Sequence, residues 1–255
     1  MIKYDGFILE RMWNGSRKLT EGQFWKLYKD NCQEHDVNIK IYKNFDNNNI
    51  SDEDFLIMDK IKNRRSSMDG NYYTLMMNNM EAWKEYPKRS QICSLNDSYR
   101  GYTTHFVIPY DKSKWGVCST PDIWGMYFID GEYKVLPFSN IANIFNLTEI
   151  RDDNWENFLN DIENISKDDF VRLQHIFRRY GIRIGKEEDI LKFFVDQLNP
   201  VKLGFKLRDY KELNMIKGRK EIWTDSPCLY VNEYKYKKIL PKMIEMKTKK
   251  FLKNA

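Results

Sequence analysis

The sequence predicts an α+β fold, and three observations carry that expectation. Short apolar or alternating runs bounded by turn residues recur through the first half of the chain and again near its end. Between them, residues 139–200 carry apolar residues at helical spacing, together with capping pairs and stop signals. With 255 residues, 42% of them hydrophobic, the chain is long enough to bury a sizeable core as one large domain or two small ones. Neither an internal repeat nor a Gly/Ser or Pro linker divides it. The expected organisation is a single domain over 1–255, with a helical segment at about 139–200 and a basic tail at 235–255.

Taken in order, "GFILERMW" (6–13) reads as a strand. In "KLTEGQFWKLYKDNC" (18–32), Thr20 stands where a helix cap belongs, ahead of Phe24, Trp25, Leu27 and Tyr28. "VNIKIYKNF" (37–45) alternates Val37, Ile39 and Ile41 with polar residues, the period of a half-buried strand. Ser51 followed by Asp54 predicts the start of a short helix through Met58 and Ile61. After the loop "NRRSSMDGN", the stretch "YYTLMMNNMEAWKEY" (72–86) predicts a helix that ends before Pro87.

Strands are expected in "SQICSL", "HFVIPY" and "KWGVCS", and in "MYFIDGEYKVLPF", where Asp130-Gly131 suits a hairpin turn. In the helical segment, Ser166 and Asp169 form a capping pair, Gly181 is a stop, and Pro200 lies just past "KEEDILKFFVDQLN". "KEIWTDSPCLYVNEY" (220–234) returns to strand.

Composition excludes several classes. No stretch approaches the roughly 18 consecutive apolar residues that a membrane helix needs, and the first residues lack a basic leader followed by an apolar core, so a cytoplasmic protein without membrane contact is expected. Cys32, Cys93, Cys118 and Cys228 are far apart, which predicts reduced, packed cysteines and no zinc site. The phosphate-cradling patterns GxxxxGK[ST] and GxGxxG are absent, and His35, His105 and His175 are too dispersed for a metalloprotease motif or a recognisable triad. The scarcity of alanine beside abundant Asn, Lys, Tyr and Ile is the bias of an AT-rich genome, such as that of many phages.

The net charge of +5 resides in the tail, because residues 235–255 hold eight lysines and one acid and leave about −2 on the rest. Ile239, Leu240, Met243, Ile244 and Phe251 give this segment an apolar side. A helix docked on the domain with its lysines in solvent is the expectation; contact with nucleic acid or an acidic partner is the alternative.

Four segments, "IKIYKNF" (39–45), "RRSSMDGNYYTLMMNNMEAWKEYPKRSQICSL" (64–95), "SYRGYTTHFVIPYDKSKWGVCSTPDIW" (98–124) and "KEIW" (220–223), together resemble the ADP-ribosyltransferase-like proteins of phages and bacterial toxins. The resemblance implies a split mixed β core with N-terminal helices and a helical insertion, NAD as cofactor, and a macromolecular acceptor, a host protein or nucleic acid, in the host cytoplasm. That family carries an Arg on its first core strand, a Ser-Thr-Ser-like second motif and a late Glu on or beside a strand. Here Lys43 stands for the Arg and Asn44 for the Gly that follows it. Ser94 is the surviving hydroxyl of the second motif, and Glu221 is the candidate for the late Glu, with Glu233 as the alternative. Lysine keeps the charge but lacks the planar fork that grips a diphosphate with two bonds.

The residue types suit the chemistry implied. Loss of nicotinamide develops positive charge on the ribose, which a carboxylate such as Glu221 stabilises, while Ser94 orients the sugar or the carboxylate. Lys43, Arg64, Arg65 and Arg89 are the candidate cations for the diphosphate, and Tyr99 and Tyr102 the candidate ring platforms. A non-catalytic protein of the same fold that binds a partner, and a nucleic-acid binder acting through the basic tail, are the competing readings.

Overall fold

A computed structural model describes residues 16–45, 55–58, 73–96, 103–123, 128–129, 132–133, 155–179 and 181–254. In chain order the elements are β1 (Ser16–Leu19), α1 (Glu21–Asn31), β2 (Ile41–Phe45), β3 (Phe55–Met58), α2 (Tyr73–Asn79), a 3-10 turn (Glu81–Trp83), β4 (Gln91–Leu95), β5 (Thr103–Pro109), β6 (Lys114–Val117), β7 (Phe128–Ile129) and β8 (Glu132–Tyr133). They are followed by α3 (Trp155–Glu163), α4 (Lys167–Arg179), α5 (Glu188–Gln197), β9 (Lys206–Asp209), a 3-10 helix (Tyr210–Met215), β10 (Lys220–Thr224), β11 (Cys228–Asn232) and α6 (Glu233–Asn254). The fold is α+β, built on a large sheet whose strand order is β1-β3-β11-β5-β2-β4-β10-β6-β9. The strand pairs from β1 to β10 in that order are antiparallel.

The chain forms two compact units. The first comprises residues 1–61, 91–115 and 208–255, and the second 62–90 and 116–207. In the first unit, α1 and α6 bury their apolar sides against one face of the sheet. Phe24, Trp25 and Tyr28 of α1 and Tyr236, Ile239 and Met243 of α6 meet Phe55, Ile57, Ile108, Leu229 and Val231 from the strands. Phe24 stacks on Phe55 at 4.2 Å and Phe106 on Tyr236 at 4.0 Å, so ring contacts tie both helices to the sheet. Thr20 caps α1 as expected: its hydroxyl accepts from Gln23 N at 3.3 Å, and the Gln23 side chain accepts from Thr20 N at 2.9 Å.

The basic tail docks, as its apolar side predicts. Tyr236, Ile239 and Met243 are buried, whereas Lys237, Lys238 and Lys242 are exposed. Lys242 sits 4.2 Å from the centre of the Trp25 ring, so its stem covers apolar surface while its charge stays wet.

Three sequence expectations are corrected. The helix expected to run through Met58 is a strand: Phe55, Leu56, Ile57 and Met58 are all buried between β1 and β11, and an apolar run covered on both faces suits a central strand better than a one-sided helix. The strand expected from Val37 begins only at Ile41, because Ile39 N closes a turn onto Asp36 O at 3.1 Å. The helix expected over 72–86 stops at Asn79, where Met80 turns extended (ψ 142°) before the 3-10 turn at 81–83. The strand expected at 6–13 lies outside the described residues.

In the second unit, α3, α4 and α5 lie in the described part of the helical segment expected at about 139–200, of which residues 139–154 lie outside the described residues. Phe158 meets Phe194 at 5.8 Å, and Phe177 meets Phe193 edge-on at 4.6 Å. Ser166 Oγ accepts from Asp169 N at 3.1 Å at the start of α4, and Gly181 (φ +73°) ends it in the left-handed region that glycine enters without cost. Trp83 is fully enclosed beside Tyr86 and Phe205, and its indole N–H donates to Leu198 O at 2.7 Å. β7 and β8 pair as the expected hairpin requires, Phe128 opposite Tyr133.

Candidate functional site

The three strands singled out by the sequence motifs, β2, β4 and β10, are direct neighbours in the sheet, although β10 is far from the others in sequence. Their register decides which residues meet. Glu221 lies opposite Ser94 across the β10–β4 pair, and Ser94 lies opposite Tyr42 across the β4–β2 pair. Side chains directly opposed across an antiparallel pair share a face, so Glu221, Ser94 and Tyr42 form one row. The row continues to Phe106, opposite Tyr42 on β5, with ring centres 4.9 Å apart, and from there to Tyr236 of α6. Glu221 (7% exposed) and Ser94 (3% exposed) are both buried.

Backbone geometry holds this pair. Asn96 ends β4 with φ 68°, a left-handed conformation that Asn adopts more readily than most residues. Its backbone N–H donates to Lys40 O at 2.8 Å. Its side-chain amide donates to Ile216 O at 2.8 Å and to Gly218 O at 2.9 Å. One residue thereby ties the end of β4 to the entries of β2 and β10, which sets the register opposing Ser94 and Glu221.

Lys43 falls out of phase with that row. Its neighbour Tyr42 occupies the Ser94 face, so Lys43 points to the other face, alongside His105, its partner on β5. The half-buried ammonium donates to Ile92 O at 2.6 Å. The same face carries a buried polar network. The Gln91 amide donates to Ser226 O at 2.7 Å and Met58 O at 3.3 Å, and the Tyr230 hydroxyl donates to Gln91 Oε1. Burial holds the Tyr230 phenol well above its ordinary pKa, so it remains a donor at any physiological pH.

Arg89 belongs to the second unit, where it is 1% exposed and its backbone N–H donates to Asn78 Oδ1 at 2.8 Å; it is a packed residue rather than a surface cation. Glu233 is exposed in the first turn of α6 and pairs with Lys237 at 2.9 Å, which suits a helix start. Arg64, Arg65, Tyr99 and Tyr102 lie outside the described residues. Register thus unites Ser94 with Glu221, leaves Lys43 on the opposite face, and adds Tyr42, which the sequence reading passed over. The signal for Tyr42 was its place beside Lys43 in "IYKNF", one residue from the position that drew attention.

His35 and the cysteines are buried. His35 Nδ1 lies 3.2 Å from the Tyr28 hydroxyl, and burial, with a smaller contribution from Lys247, pulls its pKa down to about 3 against the opposing pull of Asp36. All four cysteines are buried thiols outside any disulfide, and burial pushes the Cys32 and Cys228 thiols far up. Among the described residues no cluster of His, Cys, Asp and Glu is arranged to hold a metal ion, and no helix is long and apolar enough to cross a membrane. No family model, curated protein or solved structure matches the chain.

Proposed function

We propose that this chain is an ADP-ribosyltransferase-like protein that transfers ADP-ribose from NAD to a host macromolecule as a phage- or toxin-type effector. The observation that supports the reading is the direct opposition of Ser94 and Glu221 on adjacent strands, with the Lys43 strand next in line. In the reaction, the bond from ribose C1′ to the nicotinamide nitrogen breaks and nicotinamide leaves neutral. A bond from C1′ to the acceptor nucleophile forms, and the acceptor loses its proton. The Glu221 carboxylate stabilises the positive charge that develops on the sugar, the Ser94 hydroxyl orients the carboxylate or a ribose hydroxyl, and Tyr42 supplies a ring edge on the same face.

The test is incubation of purified protein with labelled NAD and host-cell lysate. Label is expected on macromolecules with the wild type, and a loss of about 100-fold or more in Glu221→Gln, the scale for removing one transition-state electrostatic partner. Absence of both labelling and nicotinamide release from wild type defeats the reading.

A second reading, a non-catalytic protein of this fold that binds a host partner, is favoured by one observation: the Lys43 ammonium is committed to the Ile92 carbonyl on the face away from Ser94 and Glu221. It predicts no nicotinamide release from wild type and none from Lys43→Arg, since arginine at this position inherits the same out-of-phase register.

A further inference from the structure

The second unit carries an apolar groove that the proposed reaction leaves unused. Phe158, near the start of α3, meets Phe194, near the end of α5, at 5.8 Å, which sets the end of α3 beside the start of α5. Along this pair runs a groove with a volume of about 580 Å³. Its apolar lining is Leu159 and Ile162 from α3 and Leu191 and Val195 from α5, at the three- and four-residue spacings that put side chains on one side of a helix. Ile162 is buried and Leu159 and Leu191 are half-buried, whereas Val195 is 42% exposed. The groove is an open apolar strip rather than a closed pocket.

Its charged lining is mostly acidic. Glu163, Glu187 and Glu188 stand against one cation, Lys192. Glu188 pairs with the exposed Lys186 at 3.6 Å, which offsets part of that charge. The carboxylates of Glu163 and Glu187 have no ion pair or hydrogen bond among the described residues. Glu187 and Glu188 suit the start of α5, where the helix dipole favours acids. Glu163 has no such explanation. It is the last residue of α3, in a last turn without a base, where the unsatisfied carbonyls already make the potential negative. Local helix chemistry disfavours an acid there, and a cation held against it removes that cost.

An apolar strip between two helices, of 9 and 10 residues, fits the apolar side of a third helix that presents anchors at i, i+3, i+4 and i+7. The unpaired acids where α3 ends and α5 begins select a helix with lysine or arginine beside that stripe. We propose that the α3–α5 groove docks a cationic amphipathic helix of a partner protein, its apolar side on Leu159, Leu191 and Val195 and its cations at Glu163 and Glu187. The inference stands independently of the transferase reading, since Ser94 and Glu221 belong to the first unit.

The probe is a fluorescein-labelled synthetic peptide of about 18 residues, long enough to form a helix on docking, with leucine at i, i+3, i+4 and i+7 and lysine beside that stripe. Binding to the full chain is read by fluorescence anisotropy. A scrambled peptide of the same composition lacks the stripe, and a second control carries glutamate in place of lysine. Saturable one-to-one binding is expected, with each control weaker by about tenfold or more. Glu163→Lys is expected to weaken binding by about tenfold and to improve that of the glutamate peptide, and Val195→Gln to weaken it by about fivefold. Glu156→Lys, at an exposed acid of α3 outside the groove, is expected to change it by less than about twofold. All three positions are exposed, and melting temperature and circular dichroism verify each variant. No saturable binding at millimolar peptide, equal binding of the scrambled peptide, or equal effects of Glu163→Lys and Glu156→Lys overturns the proposal. A wild-type dimer in sedimentation that Val195→Gln splits assigns the groove to a second copy of the chain, and also overturns it.

Discussion

Substituting His35 by glutamine isolates a pH dependence that a buried neutral imidazole imposes on the fold. His35 is 2% exposed, its Nδ1 lies 3.2 Å from the Tyr28 hydroxyl, and its pKa is lowered to about 3 by burial first and Lys247 second. In the unfolded chain the same ring titrates near its ordinary value of about 6.5. Between these values the unfolded state binds a proton that the folded state refuses, so stability is intact above about pH 6.5 and is lost as pH falls toward 3. At pH 5.5 the unfolded ring is about ten-to-one protonated and the folded ring is neutral, which costs about 1.4 kcal/mol; at pH 7.5 the cost is about 0.1 kcal/mol. Other groups titrate in the same window, so the quantity that counts is a difference of differences. Urea unfolding at pH 7.5 and pH 5.5 is compared between wild type and His35→Gln, whose amide keeps an acceptor for Tyr28. Wild type is expected to lose about 1.3 kcal/mol more than the variant across that interval. The His35 ring signal in NMR is expected not to move above about pH 4. Equal losses in both proteins, or a ring that titrates near pH 6.5, refute the reasoning.

Three further outcomes follow from the same contacts. Tyr230→Phe leaves Gln91 Oε1 without the phenol donor in a fully buried site, and a loss of about 1–3 kcal/mol is expected in urea unfolding, the cost of an unmet buried acceptor; a change below about 0.5 kcal/mol contradicts the network. Asn96→Ala is expected to lose about 2 kcal/mol, because alanine resists φ 68° and both side-chain bonds to Ile216 O and Gly218 O vanish, whereas Asn96→Gly keeps the backbone conformation and loses less. Equal losses in the two Asn96 variants deny the conformational part of the argument. For Glu221→Gln, the expected result is loss of label transfer from NAD with a melting temperature within a few degrees of wild type; a collapse of the fold assigns the carboxylate a structural role instead.

The elements legible in the sequence were those specified by local chemistry. Thr20 announced α1, Ser166 with Asp169 announced α4, and Gly181 its end, because capping bonds connect residues three or four apart and need no tertiary partner. The lysine-rich tail showed its docking side through Ile239 and Met243. Where the reading failed, the deciding contacts were remote: "FLIM" is a strand because β1 and β11 flank it, and no short-range pattern states that.

The candidate site divides along the same line. Sequence alone supplied the residue types, a hydroxyl at Ser94, a carboxylate at Glu221 and a cation at Lys43, and it determined that these lie on strands. Only the tertiary structure decided which of them meet. Strand pairing fixes side-chain direction with a period of two, so a register set by Asn96 and the β2–β4 pair puts Tyr42, not Lys43, beside Ser94 and Glu221. A shift of one residue reverses that outcome, and the bonds that prevent it join parts of the chain distant in sequence.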